Sequence, residues 1–244
     1  MNNKQMRPTL IVDADDTLWE TEIYFEQCIA DFGELMATLG FDREDAERTV
    51  EEVERKRVPQ VGYAPEEFAR SLVFAYQRLC ERYDRPIEDK ASDGVWEIGR
   101  AMVEYPIVLL DGVAETLARL SGHFRLLLLT KGDRQAQKSK LARSGLGHLF
   151  DGVHIVPEKN AGVIRGLVAE YDLRLEQTWM VGNSPRSDIN PALEAGIGAI
   201  HVPHPNTWHL EHEEISEPER VIVLNHFEEL TMLLRAMNNG EEDI

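Results

Sequence analysis

Thr9-Leu10-Ile11-Val12-Asp13-Ala14-Asp15-Asp16-Thr17-Leu18-Trp19-Glu20 is the stretch that decides the reading of this chain. Leu10-Ile11-Val12 is a short continuous apolar run, the pattern of a strand buried on both faces. It stops at three carboxylates within four residues, Asp13, Asp15 and Asp16. Crowded carboxylates repel one another and resist desolvation, so this strand end calls for a cation to offset them. An acidic Asx-type turn is the plainer explanation. The other strand ends decide between the two.

Beyond Glu20 the apolar period changes. Phe25, Ile29, Phe32, Met36 and Leu39 fall at helical spacing, and Gly40 ends that helix. Asp42, with Asp45 three residues on, reads as the cap of a second helix carrying Val50 and Val53, which Pro59 and Gly62 should break. Pro65 opens a third helix through Phe68, Leu72, Ala75 and Leu79. A fourth carries Val95, Ile98 and Met102 and stops before Pro106. Residues 21–105 are thus nearly all helical.

From residue 106 strands and helices alternate. Strands are expected at Phe124–Leu129, Val153–Val156, Trp179–Val181, Ala199–Val202 and Val221–Leu224, with helices between them and a last one over Phe227–Met237. The tail Asn238–Ile244 is acidic and should fray. Dense apolar strands alternating with helices predict an α/β fold: a parallel sheet with helices on both faces. In such sheets functional residues gather beyond the carboxyl ends of the strands. The ends to compare are Asp13-Ala14-Asp15, Thr130-Lys131 and Gly182-Asn183-Ser184.

The chain has 244 residues and a formal net charge of −18. Such a charge argues against nucleic acid or an anionic membrane as a partner, because both repel an acidic surface. Cys28 and Cys80 both lie in helical patterns and form no CxxC pair, so they read as small buried hydrophobes. The segment Met1–Pro8 is polar and is not a signal peptide. No apolar stretch approaches the ~20 residues of a membrane span, so a cytoplasmic location is expected.

The spacing Asp13-x-Asp15-x-Thr17 after a hydrophobic strand resembles the first signature of the haloacid dehalogenase superfamily. The other signatures follow in order. Leu126-Leu127-Leu128-Leu129-Thr130 resembles the second, Lys159 at the start of a helix the third, and Gly182-Asn183-Ser184-Pro185-Arg186-Ser187-Asp188 the fourth. Asn183 departs from the commonest form, in which Asp follows Gly. Asp188 is then the clear acidic ligand candidate. Lys138 and Lys140, the rivals of Lys159, sit in a polar helix and should face water.

The resemblance implies a Rossmann-like core, residues 1–20 and 106–244, with a helical cap, 21–105, inserted after the first motif. Most of the superfamily are magnesium-dependent phosphohydrolases that pass through an aspartyl-phosphate. On that pattern Asp13 is the nucleophile and Asp15 the proton carrier. Mg²⁺ is held by Asp13, Asp188 and the backbone carbonyl of Asp15. Thr130 and Lys159 stabilise the transferred phosphoryl, and Lys131 is a substrate contact. Arg55, Arg57, Tyr63, Arg70 and Trp96 are the cap candidates to contact a leaving group, Arg57 foremost, with a solvated helix face or the cap core as the alternative for each. Asp16 caps the turn or tunes the site. His201, His204, His209 and His212 follow the fifth strand, and Pro203 and Pro205 disrupt any regular zinc spacing. The expected partner is a small phosphorylated metabolite, a nucleotide or sugar phosphate. A phosphomutase, a dehalogenase, or a binding protein on a phosphatase core are the alternatives.

Overall fold

The computed structural model describes residues 7–232. They divide into two compact units. One takes the chain up to Glu20, then Ile107–Lys131, then Gln137 onward; the other is Thr21–Pro106 with Gly132–Ala136.

The first unit is built on one sheet. Its strands are β1 (Thr9–Val12), β2 (Arg125–Lys131), β3 (Gly152–Val156), β4 (Thr178–Gly182), β5 (Gly198–His201) and β6 (Val221–Val223). Their order is β3-β2-β1-β4-β5-β6, and every pairing is parallel. Side chains alternate across a strand. Leu10, Val12, Leu126, Leu128, Val181 and Ile200 therefore pack into one apolar cluster. Ile11, Leu127, Leu129, Met180 and Ala199 pack into another. Two covered faces are why these strands are apolar at consecutive positions. β1 lies between β2 and β4, so the chain order reverses there. A crevice beyond the carboxyl ends of the strands is expected at such a switch point, and Asp13 follows β1 directly.

The second unit holds α1 (Glu22–Thr38), α2 (Arg43–Val61), α3 (Pro65–Arg82) and α4 (Asp89–Ala101). Phe32, Met36, Val50, Leu72, Leu79 and Val95 centre its own core. The Asp42 side chain caps α2 by accepting from the Asp45 N–H at 2.8 Å. Pro59 does not break α2, which runs on to Val61. So close to the helix end, a missing N–H removes one bond and leaves the earlier turns intact, and Gly62, at φ 79°, makes the actual stop. A Cβ on Gly99 would lie 2.5 Å from the Ala69 Cα, so α4 approaches α3 at a distance only glycine permits. Cys28 and Cys80 are buried thiols with no disulfide, and burial pushes the Cys28 thiol up to about 11.

Asp45 ties α2 to α3. Its carboxylate accepts from Arg82 at 2.5 Å and from Arg48. Burial alone would raise its pKa, but the two guanidiniums hold it below its ordinary value. A carboxylate whose pKa is depressed on folding adds stability above its unfolded value of ~3.9. That stability is lost as the pH falls through the folded-state pKa. Asp45→Asn should therefore lower the unfolding free energy by about 1–2 kcal/mol near neutral pH, with solvent at the partly exposed Arg82 keeping the effect modest. The gap from wild type should shrink in urea melts repeated at progressively lower pH. A gap that stays constant would mean that the ionised carboxylate contributes nothing.

The sheet unit is completed by α5 (Val113–Leu120), α7 (Ala161–Glu170) and α8 (Asn190–Ala195); α6 (Arg134–Ser144) starts in the short segment grouped with the helical unit. Phe227–Thr231 forms a 3₁₀ turn where the start of a helix was expected. The rest of that expected helix, and the acidic tail, lie outside the described residues. No helix among the described residues is long and apolar enough to cross a membrane.

Candidate active site

β1 ends by pairing: the Asp13 N–H donates to the Val181 carbonyl at 2.9 Å. The chain then turns sharply. Asp16 adopts φ 57°, a left-handed conformation that Asp tolerates better than most residues. The turn closes with the Leu18 N–H on the Ala14 carbonyl at 2.8 Å. It leaves Asp13 at the strand end, 5% exposed.

Three of the residues singled out in the sequence meet here. The Lys159 ammonium donates to Asp13 Oδ1 at 2.6 Å and also to Asp188 Oδ1. Asp188 is wholly buried, and its Oδ2 accepts the Ser184 N–H at 3.0 Å. Gly182 makes room for it, since a Cβ there would fall 2.2 Å from that same oxygen. Burial alone would lower the Lys159 pKa, but the two carboxylates outweigh it and hold the ammonium protonated. One cation shared between two carboxylates leaves the pair a positive charge short. Burial and the like charge of Asp13 accordingly push Asp188 up to about 7 against the pull of Lys159.

The Thr17 hydroxyl lies 3.0 Å from Asp13 Oδ2 and 3.3 Å from Asn183 Oδ1, and it accepts the Asn183 N–H at 3.2 Å. The Asn183 amide N–H donates to Thr207 Oγ1 at 3.2 Å. That amide group is wired to two threonines at once, a pattern in which Asn fits as Asp would not: the Thr207 hydroxyl proton is already committed to the His204 carbonyl, 2.9 Å away.

Asp15 is clamped. Trp19 Nε1 donates to it at 2.8 Å, Gln137 Nε2 at 2.7 Å and Lys140 Nζ at 2.8 Å. Burial would raise its pKa, but the Lys140 charge and the three donors bring it down to about 2. Lys140 thus does not face water as expected; it is the counter-charge of Asp15. Gln137 and Lys140 are three residues apart on α6, hence on one helix face. That spacing was the available signal. It carries no weight by itself in a helix with so few apolar residues.

Thr130 is buried. Val12 pairs with Leu128, so Thr130 sits two residues further along the strand beside β1. The two expected substrate cations are placed differently. Lys131 donates to Ser187 Oγ at 2.9 Å and pairs with Glu211, so its charge is already answered. Arg57 belongs to the helical unit, where its guanidinium donates to Glu67 at 2.8 Å and lies 4.2 Å from the Phe74 ring centroid. Arg70 pairs with the same Glu67, at 3.4 Å.

The histidines play separate parts. His201 Nε2 is 3.0 Å from the Asn183 carbonyl, to which it donates, and burial lowers its pKa. His212 Nε2 donates to the Thr207 carbonyl at 2.8 Å. His204 Nε2 faces Glu20 at 3.1 Å. With Asp16 these two form a group whose ligand-type atoms lie within 4.8 Å of one another.

Magnesium takes hard oxygen ligands. Asp13 and Asp188 converge with one cation between two buried carboxylates, and the Asp15 backbone carbonyl follows on the same turn. An all-oxygen set short of positive charge fits a divalent cation.

A family model of the haloacid dehalogenase-like hydrolases matches residues 8–196, and the chain belongs to that family. A curated relative, the phosphoserine phosphatase of Thermus thermophilus, is 31% identical over 157 residues, covering 62% of this chain and 53% of the relative. The chain therefore spans about half the length of the curated relative it matches. Among solved structures, a haloacid dehalogenase-like family hydrolase from Xanthomonas campestris is similar at 27% identity and TM-score 0.80, covering 100% of this chain and 97% of the other. A 2-haloacid dehalogenase from Pseudomonas syringae shares the fold at 19% identity and TM-score 0.59, covering 95% of this chain and 100% of the other.

Proposed function

We propose that this hydrolase is a magnesium-dependent phosphatase, which cleaves a small phosphate monoester through an aspartyl-phosphate. The observation that carries the reading is Lys159 seated between Asp13 and Asp188 beyond the strand ends. Lys140 answers the charge of Asp15. That leaves two carboxylates, Asp13 and Asp188, against Lys159 and a divalent cation. The balance is one net positive charge, suited to a phosphoryl group.

Asp13 attacks phosphorus as the bond to the leaving oxygen breaks, and water then hydrolyses the acyl phosphate. Thr17 and Lys159 fix the orientation of the Asp13 carboxylate. Lys159 and Thr130 stabilise the transferred group. Magnesium, held by Asp13, Asp188 and the Asp15 backbone carbonyl, would neutralise charge on the phosphoryl oxygens. Asp15 protonates the leaving alcohol and then activates water. That role requires Lys140 to withdraw, since the clamp keeps the carboxyl ionised. The helical unit serves as the cap and selects the leaving group. Sugar phosphates, nucleotides and, from the relative's name, phosphoserine are the substrates to try first. The enzyme works in the cytoplasm and acts on no nucleic acid or membrane.

The Asp15 clamp also favours a second reading. A dehalogenase displaces halide with the same Asp13, and a leaving halide needs no proton. One panel separates the two. Phosphate monoesters and 2-haloacids are each incubated with the protein, with and without Mg²⁺, and phosphate and halide are measured. Mg²⁺-dependent phosphate release is expected. Halide release with no phosphate release would overturn the phosphatase reading.

A further inference from the structure

We propose that Glu211 is a positioning residue for the loop that carries Asp188, setting the affinity of the site for its divalent cation. The inference rests on the reading of Asp188 as a metal ligand.

Asp188 lies in a π-helical turn, Pro185–Ile189, between β4 and α8. Such turns are rare and occur frequently at functional sites. Two backbone bonds and one side-chain cap close this one: Asp188 N–H to the Ser184 carbonyl at 3.0 Å, Ile189 N–H to the same carbonyl at 3.1 Å, and Ser187 N–H to the Ser184 hydroxyl oxygen at 2.9 Å. The two serine hydroxyls then point away from the turn to a single acceptor. Ser184 Oγ donates to Glu211 Oε2 at 2.6 Å, and Ser187 Oγ donates to the same oxygen. Lys131 Nζ donates to Ser187 Oγ at 2.9 Å and pairs with Glu211 Oε1.

Glu211 comes from a remote segment, the 3₁₀ turn His209–Glu211, and is only 7% exposed. Burial alone would raise its pKa, but Lys131 and the two hydroxyls bring it down to about 2. It is therefore a fixed anion that terminates every outward hydrogen bond of the Ser184 and Ser187 side chains. The same Ser184 whose hydroxyl it holds gives its N–H to Asp188 Oδ2. Loss of the acceptor loosens the residue that orients the ligand carboxylate. It also releases Lys131, the neighbour of Thr130. Outer partners that orient a ligand typically matter about 10–100-fold in metal affinity.

The test measures Mn²⁺ binding, as a spectroscopically visible stand-in for Mg²⁺, by electron paramagnetic resonance on the full chain. Glu211→Gln keeps the shape and removes the anion. It should raise the Mn²⁺ dissociation constant by about 10–100-fold. In the metal-free variant, amide exchange across 184–189 should speed up. The metal concentration needed for activity should rise while KM at saturating metal stays unchanged, a split that general destabilisation would not give. Asp45→Asn, which weakens only the helical unit, should leave the Mn²⁺ constant where it is. Wild type that binds Mn²⁺ with a Glu211→Gln variant that binds it equally well overturns the inference. Wild type that binds no Mn²⁺ overturns the ligand reading beneath it, a separate and recognisable result. Should Glu211→Gln not fold, Ser187→Ala takes its place and must also weaken Mn²⁺ binding; an unchanged constant there overturns the inference equally.

Discussion

On the proposed mechanism, Asp13→Asn is expected to reduce turnover by roughly 10⁵–10⁶-fold, the loss that follows removal of a covalent nucleophile. An amide oxygen is a poor nucleophile and forms no stable phosphoenzyme. The fold should survive, because the substitution is isosteric and every neighbour keeps a partner. The Thr17 hydroxyl still has an amide group to meet, and Lys159 keeps Asp188. Activity and stability are therefore separable at this position. Rapid-quench labelling with radioactive substrate reads the chemistry directly. Wild type should carry acid-stable label within the first turnover, and Asp13→Asn none. Label on the variant at the wild-type level would mean that another side chain is the nucleophile.

The sheet was legible because its sequence signal has a physical origin. Runs such as Leu126–Leu129 are apolar at every position, as a strand covered on both faces requires. The strand ends could be compared for the same reason. Asp13, Lys159 and Asp188 come from three separate segments, yet the rule that chemistry collects beyond the carboxyl ends brings them together. Position within an ordered set of motifs made Lys159 stand out among many lysines.

Other features left no local trace. Lys140 lies on a helix whose buried side is polar because it meets a carboxylate, so apolar periodicity cannot show which way it faces. The engagement of Lys131 depends on Glu211, a partner that no pattern near Lys131 announces. Arg57 had the charge expected of a substrate contact, but Glu67 and Phe74 satisfy it within the helical unit. Pro59 reads as a breaker, yet its position near a helix end made it tolerable. In each case the pattern reported a residue's chemistry and not the partner that consumes it. Asn183 shows the converse. Its departure from the commonest motif leaves its part in metal binding open in the sequence, and only the fold shows that its amide oxygen meets Thr17 and its amide nitrogen Thr207.

Lys159→Met is expected to make the metal-free protein less stable by about 3–5 kcal/mol, the usual consequence of removing one partner from a buried ionic cluster. Met nearly preserves the volume of the side chain, so what is lost is the charge. Asp13 and Asp188 would then face each other in a buried site, at 5% and 0% exposure, with no lysine between them. Mg²⁺ offers a replacement charge. A ligand that binds only the folded state stabilises it in proportion to its affinity and concentration. The stabilisation by Mg²⁺ should therefore be larger in Lys159→Met than in wild type, where Lys159 already neutralises part of the pair. Activity should stay low even with metal bound, because on the proposed mechanism Lys159 is the cation that meets the transferred phosphoryl. Thermal unfolding of both proteins across a Mg²⁺ titration, with turnover measured in parallel, checks all three statements. A metal-free Lys159→Met as stable as wild type would show that the two carboxylates do not depend on a shared cation. The charge bookkeeping on which the phosphatase reading stands would then fail with it.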